Sequence, residues 1–144
     1  MTSMARLIQT LGGRGLIRER PATYEVVIRR VREGLPFAAL AAVSERYEIP
    51  SRELARILDL PPRTLARRRR ERRLRPDESD RLSRIGRVGV FAEEVLGDRH
   101  KTVAWLRKPN TALGGARPLD RLDTDIGAQQ VEQILGRIAH GVYS

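Results

Sequence analysis

The chain of 144 residues contains no cysteine. Disulfides, thiolate metal sites and a cysteine nucleophile are therefore excluded. Histidine is nearly absent too. His100 and His140 stand forty positions apart, and neither has a carboxylate pair at metal-ligand spacing beside it. No G-x-S-x-G elbow occurs, and no serine–histidine–acid order stands out. Asp120, Asp123 and Asp125 cluster, but Thr124 and a helix start account for them as caps. These shortages predict a protein that is not an enzyme and that uses no metal and no cofactor. Aromatic residues make up only 4% of the chain. No apolar run approaches the roughly 20 residues that cross a bilayer. The first twenty residues hold only short apolar stretches such as Leu7-Ile8, broken by arginines, so no signal peptide is expected. The expected compartment is the cytoplasm, with no membrane contact. Gly12, Gly13 and Gly15 are not followed by Gly-Lys-Ser/Thr, which excludes a P-loop.

Basic residues, in contrast, are abundant. The chain has 28 Lys and Arg against 18 Asp and Glu, a net charge of +10. Between Arg63 and Arg75 eight arginines stand against one glutamate, while the rest of the first 80 residues is neutral. A concentrated basic patch beside a neutral scaffold points to a polyanion partner; the blander alternative is a solvated helix face. The apolar fraction of 40% is that of an ordinary soluble protein. The length suits one domain or two small ones. Small domains bury little apolar surface, which favours a dimer or an obligate partner.

Residues 1–20 read as a flexible arm, made pliable by their glycines. From Thr23 onward Tyr24, Val27, Ile28 and Val31 recur at helical spacing as one apolar stripe. Thr23 suits the N-cap and Gly34 the stop. Pro36 suits the first turn of a second helix, with Phe37, Leu40, Ala41, Ser44 and Tyr47 inward, closed by Pro50. Ser51 is expected to cap a short helix over residues 52–58. Asp59-Leu60 makes a tight link, and Pro61-Pro62 opens a helix that runs through the arginines to about Arg73. Pro76 marks a domain boundary near residues 75–77. A longer helix follows over residues 77–96, with Leu82, Ile85, Gly89, Ala92 and Leu96 inward. Gly86 and Gly89 each cost about 1 kcal/mol against alanine in a helix, which implies another backbone packed close by. Gly97 ends this helix, and Asp98 caps the next, which ends at Pro109. Residues 110–117 form a loop with a Gly114-Gly115 turn. Pro118 begins a short turn, and Thr124 caps a last helix with Val131, Ile134, Leu135 and Ile138 inward. Gly141 ends it. No strand signal competes, so the predicted fold class is all-α.

Residues 53–65 have helix-turn-helix spacing. Ala55 supplies the small residue where two steeply crossed helices touch. Asp59 takes the hinge position, which needs tolerance of positive φ. Leu54, Leu58, Leu60 and Leu65 fill the core between the helices, and the second helix turns its outer side to a DNA major groove. The candidate DNA-binding residues are Arg63, Thr64, Arg67, Arg68 and Arg70. Arginine reads guanine edges with two hydrogen bonds or holds phosphates. Two recognition helices read two half-sites, so a homodimer is expected. Its candidate surfaces are the two helices between Thr23 and Tyr47 or the glycine-marked helix.

The second half carries, in order, Trp105-Leu106, Pro109-Asn110, Ala112-Leu113-Gly114-Gly115, Pro118-Leu119, Thr124, Gly127, Val131, Leu135, Arg137-Ile138 and Gly141. This ordered set closely resembles the C-terminal domain of Xre/MbcA/ParS-type antitoxins. Arg63-Thr64-Leu65 and the run from Asp77 to Leu82 are similar to that family as well, and the resemblance spans roughly residues 25–143. It implies an antitoxin that blocks a RES-domain, NAD-consuming toxin and represses the shared operon by binding operator DNA. It implies toxin contacts from the 110–117 loop, the last helix and the tail: Asn110, Arg137, Gly141, Val142, Tyr143 and Ser144. Asp59 departs from the glycine more usual at the hinge. The residues themselves leave Trp105 as a core residue or an anchor, Tyr143 as a partner anchor or not, and Arg137 as a toxin contact or a helix-end charge. The expected organisation is an arm (1–20), a helix-turn-helix DNA-binding domain (21–75) and a toxin-binding domain (76–144). The rival readings are a free-standing transcription regulator whose second half dimerises or senses a ligand, and an adaptor whose basic helix meets an acidic protein.

Overall fold

The computed structural model describes residues 3–13 and 22–141. Among them stand eight α-helices: α1 (Met4–Thr10), α2 (Tyr24–Glu33), α3 (Ala38–Tyr47), α4 (Ser51–Ile57), α5 (Pro62–Glu71), α6 (Pro76–Leu96), α7 (Arg99–Arg107) and α8 (Asp125–Ala139). Two 3₁₀ turns, Thr111–Leu113 and Pro118–Arg121, lie between α7 and α8. The described residues contain no strand, only an isolated antiparallel bridge between Pro36 and Arg73. The all-α expectation holds.

Caps act where the sequence places them. The Thr23 side chain accepts from the Val26 N–H, Asp98 from Lys101 and Thr124 from Gly127. Each accepts from one of the N–H groups that a helix start leaves without an intrahelical partner. Ser51 differs. It is the first residue of α4, and Pro50 holds the cap position with no side-chain hydrogen bond. Gly34 ends α2 at φ +94°, and a Cβ there would overlap the Leu74 carbonyl oxygen. That close approach sets the chain leaving α2 against the chain leaving α5. Leu74 N–H donates to Leu35 O at 2.8 Å, and Phe37 N–H to Arg72 O at 3.1 Å.

The 21-residue α6 is the spine. Leu82, Ile85, Gly86, Val88, Gly89, Val90 and Ala92 are all buried on it, more than one apolar stripe, because helices pack on several of its sides. α1, α2 and α3 meet it, and so do α7 and α8. Its glycines are explained by these contacts. A Cβ at Gly86 would lie 3.1 Å from Leu7 Cδ1, and one at Gly89 would run into the Tyr47 ring. Tyr47 Oη donates to Glu93 at 2.6 Å, and Arg46 donates to both oxygens of the same carboxylate at 3.0 and 2.7 Å. Burial pushes the Tyr47 phenol well above its ordinary range, and the Glu93 carboxylate beside it pushes it further.

Three expectations need correction. Residues 4–10 are a helix, not part of an arm. Leu7, Ile8 and Leu11 are 3%, 4% and 0% exposed, since their shared apolar face meets the small residues of α6; residues 14–21 lie outside the described set. Apart from Val90, the buried hydrophobic residues among the described ones form one cluster that runs from Leu7 to Leu135. It crosses residues 75–77 without a gap, because α6 begins there and serves both halves. Finally, the apolar stripe of α2 splits. Val26 and Val27 are buried, whereas Tyr24 and Ile28 face outward.

Candidate functional site

The turn between α4 and α5 is built as the motif requires. Leu54, Leu58 and Leu60 are buried to within 4%, and Ala55 to 3%. Leu60 N–H donates to Ala55 O at 2.8 Å, which closes the turn tightly. Asp59 adopts φ +58°, a conformation that a short polar side chain tolerates. Pro61 and Pro62 start α5, with Pro62 in its first turn, where a missing N–H costs nothing.

The α5 arginines divide by face. Arg63, Arg67 and Arg70 are exposed, with no hydrogen bond or ion pair among the described residues. Spaced four and three apart, they share one side of the helix. Thr64 is half-buried beside them. Arg68 is a correction. It is 6% exposed, and its Nε donates to Glu78 Oε1 and Oε2 at 2.8 and 3.1 Å. It stands three residues after the inward Leu65, so helical geometry carries it to the core side. The Glu78 hydrogen bond raises its pKa above the ordinary arginine value, so it stays charged. Arg69 lies over the Phe37 ring, 5.6 Å from its centroid. Arg73 donates to the Glu33 and Gly34 carbonyls at 3.3 and 3.2 Å. These two arginines are therefore held by the scaffold.

Two further cations belong to this region and were missed from the sequence. Arg52 and Arg56, exposed on α4, line with Arg69 a cleft of about 630 Å³ between α4 and α5, whose floor includes Ala55, Leu60 and Leu65. The signal was present. The two arginines are four residues apart on a helix whose leucines point inward. An exposed arginine face beside an arginine-rimmed cleft suits phosphates and base edges.

The second region lies at the far end of the chain. Asn110 opens the loop after α7. Its Oδ1 accepts from the Ala112 N–H at 2.9 Å, and its backbone N–H donates to Ala116 O at 3.0 Å. Its side chain therefore shapes the loop. Arg137 is exposed near the end of α8 without a partner among the described residues. Gly141 follows at φ +72°. No hydrogen bond or ion pair joins Asn110 to Arg137 among the described residues. Val142, Tyr143 and Ser144 lie outside the described residues. Trp105 packs against the core, half-buried, which favours its core reading. The sequence reading missed Ile126, 72% exposed in the first turn of α8. Its signal was an isoleucine beside the N-cap, off the stripe that includes Val131 and Leu135.

The two regions meet through charge. Arg117 donates to Asp120 at 2.6 Å and to Glu53 of α4 at 3.4 Å. Arg107 of α7 lies 4.0 Å from Glu53. Hydrogen bonding to Arg117 holds the Asp120 carboxyl below its usual range, and Asp120 in turn raises Arg117. Among the described residues no group of His, Asp or Glu can hold a metal ion.

Comparison with known proteins gives a consistent result. Residues 26–87 match the model of the antitoxin Xre-like helix-turn-helix domain, and residues 91–141 that of the antitoxin Xre/MbcA/ParS C-terminal toxin-binding domain. An antitoxin Xre of Yersinia enterocolitica is 33% identical over 121 residues, 83% of this chain and 82% of its own length. One of Pseudomonas putida is 37% identical over 113 residues, 78% of this chain and 70% of its own length. Among solved structures, a chain of the M. tuberculosis MbcT–MbcA toxin–antitoxin complex superposes with a TM-score of 0.57 at 27% identity, over 75% of this chain and 96% of that one.

Proposed function

The chain belongs to the Xre/MbcA/ParS antitoxins, and from that premise we propose that it silences a RES-domain, NAD-consuming toxin and represses its own operon. It is an antitoxin of a toxin–antitoxin system, with a helix-turn-helix domain and a toxin-binding domain. The family is one of antitoxins and not of enzymes. The partner, the DNA target and the working residues are our reading.

In this reading α5 enters the major groove. Arg63, Arg67 and Arg70 reach bases and phosphates, Thr64 lies at the edge of the contact, and Arg52 and Arg56 hold the backbone alongside. The single supporting observation is the division of the α5 arginines. Three exposed guanidinium groups have no partner among the described residues, while Arg68 is paired with Glu78. An unpaired cation face loses little when it gives up water for phosphate and gains the entropy of released counterions. The chain acts as a homodimer in the cytoplasm.

Toxin contact falls to the second half. Asn110 shapes the loop, Ile126 and Arg137 supply an apolar and a cationic anchor, and residues 141–144 enter the toxin's substrate opening. Inhibition is steric, so no chemistry is asked of this chain. The test is co-expression with the product of the neighbouring reading frame. That product should be toxic alone, harmless beside this chain, and should co-purify with it. Deleting residues 141–144 should abolish rescue. Full rescue by the truncated chain excludes the tail as the plug.

A further inference from the structure

Phe37 is half-buried at the cap position of α3. Its backbone is fixed against the end of α5. The Phe37 N–H donates to Arg72 O at 3.1 Å, and its neighbours Leu35 and Pro36 pair with Leu74 and Arg73. The ring therefore has a set place beside α5, and the Arg69 guanidinium lies over it, 5.6 Å from its centroid. A cation–π contact consumes none of the five guanidinium N–H donors. The Arg69 side chain donates no hydrogen bond and joins no ion pair among the described residues. It is a held cation with unused donors.

Arg69 does not share the outward face of Arg63, Arg67 and Arg70. It stands three residues after Ala66 and seven after Pro62, on the side of α5 that walls the cleft toward α4. Arg52 and Arg56 stand on the opposite wall. Three guanidinium groups thus share the cleft with one carboxylate, that of Asp59 at the hinge. The hollow of about 630 Å³ is far larger than a lone phosphate needs, and its floor is apolar. A sugar–phosphate chain matches both features. Its deoxyribose faces are largely apolar, and each of its phosphates is an anion.

We propose that Phe37 is a positioning residue for DNA. Its ring holds Arg69 at the cleft, where Arg69, Arg52 and Arg56 clasp the sugar–phosphate backbone beside the groove that α5 enters. The inference rests on the operator-reading function and adds to it a residue that carries no charge and reaches no DNA itself. The cause is entropic. A free arginine loses rotamer freedom when it settles on a phosphate, and one already held by a ring loses less. The clasp fixes where α5 lies along the groove and carries no sequence information of its own.

Fluorescence anisotropy on the full chain tests this, with a duplex from the DNA just upstream of its reading frame and a shuffled duplex as control. Arg69→Ala should weaken binding to both duplexes alike and reduce the salt slope by about one contact. Phe37→Leu keeps every charge, so the slope should stay while affinity falls by about threefold to tenfold. Phe37→Tyr keeps the ring and should bind as wild type does. In the Arg69→Ala background Phe37→Leu should have no further effect, a coupling that lost packing alone does not produce. The cycle reads this coupling even where Phe37→Leu lowers the melting temperature. Equal weakening by Phe37→Leu in the two backgrounds overturns the proposal, and so does a Phe37→Tyr variant as weak as Phe37→Leu. An unchanged slope in Arg69→Ala removes the clasp. If the wild-type chain binds neither duplex, the operator reading falls and takes the clasp with it. If Arg63→Ala/Arg67→Ala weakens binding while the Phe37 cycle is additive, only the clasp falls.

Discussion

The Arg68 guanidinium and the Glu78 carboxylate form a buried ion pair between the helix that carries the basic face and the helix that forms the spine. The two side chains are 7% and 6% exposed, and Nε lies 2.8 Å from Oε1. Glu78 Oε1 also accepts the Arg75 N–H at 2.8 Å, which caps α6. One carboxylate thus fixes both the pose of α5 and the start of α6.

Removing one partner leaves the other charged and buried. Arg68→Ala should cost about 3–5 kcal/mol of stability, read by urea unfolding. Arg67→Ala, one position away on the exposed side, should stay within about 0.5 kcal/mol. Equal effects from the two variants would contradict the division of faces.

The glycines separate in the same way. Gly89→Ala must displace the Tyr47 ring from its place beside Glu93, and overpacking of this kind costs about 1–3 kcal/mol. Gly136 lies inside α8 with nothing within 4 Å of a would-be Cβ. There Ala should stabilise by about 0.5–1 kcal/mol. Thermal melts of the two variants should move in opposite directions.

Acid should release the Arg117–Asp120 pair that stands beside the junction between the halves. The folded pKa of Asp120 is lowered from 3.8 by its hydrogen bond to Arg117. A lowered carboxylate pKa contributes stability that is present above the unfolded value and fades as pH falls through the folded one. Asp120→Asn should therefore be less stable than wild type at pH 6, and the gap should close below about pH 3.8, the unperturbed value. A gap that is constant with pH would assign the effect to packing alone.

Much of this architecture was legible in advance. Helix starts were visible because Thr23, Asp98 and Thr124 are local signals that read the same in a peptide and in a fold. The hinge at Asp59 was legible for the same reason. The reading failed where tertiary contact decides. Leu7-Ile8 looks like a broken run in the sequence, and only the small residues of α6 make it a core helix. Tyr24 and Ile28 satisfy a helical stripe as well as Val27 does, yet α6 covers only part of that stripe. Arg68 belongs to a run of four arginines, and nothing local distinguishes it from Arg67. Its partner lies ten residues on, beyond a proline break. In the second half, the ordered motif was legible through the resemblance, whereas Ile126 carried only the signal of lying off the inward stripe of α8.

Salt should separate the cations. The logarithm of operator affinity should fall linearly with the logarithm of salt concentration, and Arg52→Ala should reduce the slope by about one contact. Its effect should be similar across operator variants, because phosphate contacts carry little sequence information. An unchanged slope would remove α4 from the DNA surface.

The account assigns its two activities to separate surfaces, and the double variant Arg63→Ala/Arg67→Ala tests this most directly. Operator affinity by gel shift and rescue of toxin-poisoned growth should be measured on the same protein. The predicted result is operator binding weakened by about a hundredfold or more, at roughly 1–3 kcal/mol for each contact, with rescue of growth unchanged. Operator binding equal to wild type, or rescue lost together with it, would contradict the account.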